Sequence, residues 1–131
     1  MIGLGTNILI RYLTQDDPIQ SQKATEIVER RLTKAKPGFV SVVVMVETVW
    51  VLDRAYDLAA QDIAAAIERM LQVEVFVIEK EQEVFTAMVA LKQGRGSFAE
   101  ALIAELGASA GCVHTLTFDN KALRLPGFKL A

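Results

Sequence analysis

Three carboxylates stand where solubility alone does not explain them. Glu47 lies inside the almost wholly apolar run 42–52. Burying an unpaired carboxylate costs on the order of several kcal/mol. Glu47 therefore needs a partner, a metal, a proton or an exit to a cleft, unless it sits partly exposed at a helix edge, as Glu commonly does. Asp119 closes the β-rich run 113–118. The carboxyl end of a strand is the usual rim of an α/β site, but an Asp-Asn turn, in which short polar side chains bond their own backbone, also accounts for it. Glu100 follows Ser97 by three residues. That spacing is a capping box, with Glu100 reaching back to the Ser97 backbone N–H, and it competes with a metal role.

A fourth position draws attention by what it lacks. Residues 2–4 read as a short buried strand, and the chain turns at Gly5-Thr6-Asn7 into a helix. Thr6 or Asn7 can cap that helix by accepting from its free N–H groups. A strand end followed by a helix N-terminus is where sites form in open α/β sheets, yet glycine occupies the corner. The chain has no Gly-rich phosphate loop, no Cys or His cluster and no nucleophile elbow. His114 reads as a neutral side chain at a sheet surface or edge, and Trp50 as core. Arg54, Lys92, Arg95, Lys121 and Arg124 read as solvated surface that could line a groove.

The elements that must position these residues follow from pattern. Asp16-Asp17-Pro18 ends the first helix and starts the second, with proline at its first position and Asp17/Gln20 at capping-box spacing. Ala24, Ile27, Val28 and Leu32 give its helical stripe. Ser41 can cap 42–52, where length favours a buried helix and the β-branched content a strand; the helix is preferred. Ile63, Ile67, Met70 and Leu71 mark a further helix, and 73–78 a strand. Residues 81–93 form a helix with Gly94 as its C-terminal cap, and a helix opens at Ser97 and closes near Gly111. Residues 113–118 form a strand, and Phe128-Lys129-Leu130 a last short one. Strands alternating with helices imply a parallel sheet with helices on both faces and right-handed connections.

Composition bounds the rest. A chain of 131 residues beginning at Met1 reads as one domain, 1–131, with no preceding tail and enough length for a real core. An apolar fraction of 52 % excludes a disordered chain. The net charge of −2 gives no global field to attract nucleic acid, so any such contact needs a local basic patch. The single cysteine, Cys112, cannot form an internal disulfide. The N-terminal apolar run is interrupted by Arg11 and is too short to span a membrane. The expectation is a soluble, cytoplasmic protein.

Four segments in order, residues 2–13, 41–52 around Glu47, 97–104 and 115–119, resemble PIN-domain ribonucleases of the VapC toxin type over essentially the whole length. The resemblance implies a PIN-like three-layer α/β/α fold around a central parallel sheet. It also implies Mg²⁺ or Mn²⁺ held by acids from four segments, metal-dependent cleavage of RNA, homodimerisation and inhibition by a VapB-type antitoxin. Carried over, the acids fall at Gly5, Glu47, Glu100 and Asp119, with Thr6, Asn7, Ser97 and Thr117 supporting them. Mg²⁺ takes oxygen ligands and keeps several waters. It would relieve the repulsion among gathered carboxylates, activate a bound water and steady the charge on the scissile phosphate. Ala24, Ile27 and Val28 are candidates for the wall of the antitoxin groove.

The chain departs from the family at two of these positions. Gly5 stands where the family has Asp, and Glu100 where it has Asp; many close relatives also carry an acid at Ser97. One ligand is lost outright and another is a methylene longer. The chain is expected to bind Mg²⁺ poorly and to cleave RNA slowly or not at all. The alternative is a catalytically inactive PIN domain that serves dimerisation and antitoxin binding.

Overall fold

The first strand is brief, two residues long, and both are exposed. In the computed structural model, which describes residues 1–131, β1 (Ile2–Gly3) runs parallel to β2 (Gly38–Val40). The Ile2 N–H donates to the Pro37 carbonyl at 2.9 Å and the Leu4 N–H to the Phe39 carbonyl at 2.9 Å. A Cβ on Gly38 would come within 2.8 Å of both the Leu4 and Leu32 Cδ1 atoms, so a larger residue there would make those leucine ends shift. β3 (Phe76–Ile78) lies parallel on the other side of β2, giving the order β1-β2-β3. β4 (Thr115–Thr117) and β5 (Phe128–Leu130) form a separate parallel pair, Thr115 opposite Phe128 and Thr117 opposite Leu130. All pairings are parallel, as the strand–helix alternation implies, but the strands divide into groups of three and two. Leu116 and Phe118 remain exposed on the smaller group.

Six helices surround these strands: α1 (Thr6–Thr14), α2 (Pro18–Glu26), α3 (Val42–Arg54), α4 (Ala60–Gln72), α5 (Glu81–Lys92) and α6 (Phe98–Ser109). Asp17 caps α2, accepting from the Ile19 and Gln20 N–H groups at 3.1 and 2.8 Å. The capping box is only half made, because the Gln20 side chain turns away to accept from Arg11. Beyond Glu26 the helix widens over Ile27–Arg31, ending with the Leu32 N–H on the Ile27 carbonyl. Ala24 and Val28 point into the core and cannot wall a groove, while Ile27 packs against the core and stays partly accessible.

In α3 the helical reading prevails over β-branched content because its N-terminus is capped twice and one face is buried. Ser41 Oγ accepts from the Val44 N–H at 3.2 Å, and the Glu79 carboxylate accepts from the Val42 N–H at 2.8 Å. Met45, Thr48 and Leu52 face inward, while Val43, Glu47, Trp50 and Arg54 follow the opposite face at the spacing of helical turns. Trp50 is 58 % exposed, which corrects its assignment to the core. The core itself joins Leu9, Met45, Ile67, Met88 and Leu102, one from each of five helices, all nearly inaccessible.

Candidate functional site

The corner after β1 meets the middle of α3. Gly5 is the N-cap residue of α1, with φ −83° and no side-chain hydrogen bond at the cap. Helix α1 begins at Thr6, and neither Thr6 nor Asn7 caps it. The Thr6 hydroxyl instead donates to the Glu47 carboxylate. Glu47 is exposed on the outward face of α3, the helix-edge placement that needs no compensating partner, and this contact ties it to the corner after β1. A Cβ on Gly5 would meet nothing within 4 Å. The position has room for a side chain and a backbone conformation open to any residue.

Helix α6 opens beside the same stretch of α3. Val46, Val49 and Trp50 share one cavity wall with Ser97, Phe98 and Ala99. Ser97 caps α6, accepting from the Glu100 N–H at 3.1 Å, while its hydroxyl lies 3.1 Å from the Glu100 carboxylate. The Ser97 half of the capping box is therefore made as the spacing implies. The Glu100 carboxylate takes the hydroxyl in place of the Ser97 backbone N–H.

Asp119 follows β4 and caps the short turn Asn120–Arg124 by accepting from the Lys121 N–H at 2.9 Å. The Thr117 hydroxyl accepts from the Asp119 N–H at 3.0 Å. These are the bonds of the Asp-Asn turn weighed from sequence. The structure thus joins Thr6 with Glu47, Ser97 with Glu100, and Thr117 with Asp119. It gathers no three His, Cys, Asp or Glu side chains closely enough to hold a metal ion.

A family model, that of the PIN domain, matches residues 4–127. The chain is a PIN domain. No curated protein and no solved structure matches it. PIN domains are nucleases, typically dependent on a divalent metal and acting on RNA. The donor set of this PIN domain does not fit such an ion as it stands. Position 5 offers no side-chain oxygen, and each remaining acid is bonded to a hydroxyl or backbone N–H without two further acids gathered beside it. No helix is long and apolar enough to cross a membrane.

One group near this region was not singled out from sequence, and two were named without being placed beside Glu47. Glu79, at the end of β3, caps α3; it follows a strand directly, the position that marked Asp119. Trp50 and Arg54 share the outward face of α3 with Glu47, which the i, i+3, i+7 spacing from Glu47 carries once the helix is accepted. Away from the site, Asp16 anchors the turn between α1 and α2. It accepts from the Tyr56 hydroxyl at 2.6 Å, the Thr14 hydroxyl at 2.7 Å and Arg11 Nη1 at 2.9 Å. The Tyr56 and Thr14 hydrogen bonds, with Arg11 adding to them, hold its carboxyl down at about 2.

Proposed function

We propose that this PIN domain is a VapC-like toxin, an endoribonuclease of the Mg²⁺- or Mn²⁺-dependent kind, impaired because Gly5 replaces its first metal-binding acid. One observation carries this reading. Glu47, an acid in the middle of an apolar helix, is drawn to Thr6 at the β1–α1 corner, next to a residue whose missing side chain leaves open space. Glu47, Glu100 and Asp119 are the remaining acids of the set, with Thr6, Asn7, Ser97 and Thr117 supporting them. The natural setting is a cytoplasmic homodimer restrained by a VapB-type antitoxin.

A second reading has its own support. Because no three acids come together, the chain could serve as a catalytically inactive PIN domain for dimerisation and antitoxin capture. A paired RNA-cleavage assay separates the two, comparing the chain with Gly5→Asp in Mg²⁺ or Mn²⁺, each against a chelated control. Cleavage by Gly5→Asp alone supports a nuclease silenced at one ligand. Cleavage by both refutes the role given to Gly5, and cleavage by neither favours the inactive module.

A further inference from the structure

We propose that the cavity beside Glu47 is a subsite for one unpaired nucleobase of the RNA, with Trp50 as its stacking face. The proposal rests on the nuclease reading above and extends it to the form of the substrate. The cavity measures about 340 Å³ and lies between α3, α4 and the start of α6. That is the low end of the volumes that small ligands occupy. Ile63, Leu91 and Phe98 form a buried apolar floor. The rim carries Asp53 and Arg54, and the wall includes the indole of Trp50, 58 % exposed.

The chemistry of this arrangement matches a base attached to a charged backbone. An exposed indole over an apolar floor offers a π face that any base can stack on. The Arg54 guanidinium lies 5.8 Å from the Trp50 ring centroid, within cation–π range, which holds a positive charge where a phosphate would follow the stacked base. The Asp53 carboxylate accepts from a base N–H or amino group at the rim. Trp50 follows Glu47 by three residues on the same helix face, a rise of roughly 4.5 Å. A base seated there places an adjoining phosphodiester in reach of Glu47 on one side and of the Ser97–Glu100 end of α6 on the other. A base paired in a duplex cannot enter, so the subsite selects single strands.

Trp50 is the only tryptophan, so its fluorescence reports on this cavity alone. The full chain is titrated in chelator with a short labelled single-stranded RNA of mixed sequence and with its duplex. Binding is followed by anisotropy of the RNA label and, separately, by Trp50 emission. The expected result is saturable quenching by the single strand at the concentration where anisotropy rises, with far weaker quenching by the duplex. Trp50→Ala should weaken single-strand binding by roughly 5- to 160-fold, the usual range for one base–aromatic stack, while Trp50→Phe retains most of it. Anisotropy that rises with unchanged Trp50 emission, or an unaltered Trp50→Ala affinity, overturns the subsite and leaves the nuclease reading standing. No binding of any RNA overturns both. Emission that shifts with protein concentration in the absence of RNA assigns the face to a second copy of the chain and also overturns the subsite.

Discussion

Thr48 should be more stable as valine. Its side chain is fully buried on the inner face of α3, and its hydroxyl is the one buried side-chain polar atom without a hydrogen-bond partner. A threonine within a helix ordinarily bonds the carbonyl one turn back, and this one does not. An unmade buried hydrogen bond costs about 1–3 kcal/mol. Valine has nearly the same shape and helix propensity, so the substitution removes the unpaired hydroxyl without opening a cavity. The expected gain is about 1 kcal/mol. With roughly 2.1 cal/mol/K of unfolding entropy per residue, that corresponds to a rise in Tm of about 4 °C for a chain of this length. Urea unfolding followed by circular dichroism measures it, with Thr48→Ser as the counterpart. Serine keeps the hydroxyl and deletes a buried methyl, so it should lose about 1 kcal/mol. A Thr48→Val variant destabilised by 1 kcal/mol or more would refute the reasoning, because it would mean that the hydroxyl is bonded, for instance to a buried water.

Acid should unfold the chain partly through Asp16. Its folded carboxyl titrates at about 2 against an ordinary 3.8, so the unfolded chain takes up the proton first. The stability it contributes is complete above pH 4 and is lost as pH falls towards 2. Urea midpoints measured across that window should fall less steeply for Asp16→Asn than for the parent chain. Ser97→Ala should cost about 1 kcal/mol by removing the α6 cap, read from the same unfolding curves. A loss below the error of the curves would mean that Glu100 or solvent already satisfies that helix end.

Much of the architecture was legible because it rests on periodicity and local chemistry. The helix over 81–93 appears as α5, with Val84, Ala87, Met88 and Leu91 all buried. Asp17, Ser41 and Ser97 each cap the helix that their position implied. What failed depended on contacts distant in sequence. Thr6 sits at a helix start and reads as a cap, but Glu47, forty-one residues away, takes its hydroxyl. Trp50 reads as core on hydrophobicity, yet apolar residues lie on both faces of α3 and its burial is decided by which face meets α1, α4 and α6. The division of the strands into three and two is likewise invisible, since a run of three residues carries no record of which neighbour it pairs with. Of the candidate site, the residues could be named from the sequence. Their local partners could be anticipated only for Ser97–Glu100 and for the turn at Asp119.

The central claim is that position 5 is a vacated metal-ligand position. Mn²⁺ titration of the chain and of Gly5→Asp, read by the loss of the free-ion paramagnetic resonance signal, tests it without relying on any RNA substrate. The open space around Gly5 and its ordinary backbone angle mean that the variant should fold as the parent does. The account predicts at least tenfold tighter Mn²⁺ binding by Gly5→Asp, abolished by adding Glu47→Gln. Equal affinities in the two proteins, with Gly5→Asp properly folded, would contradict it.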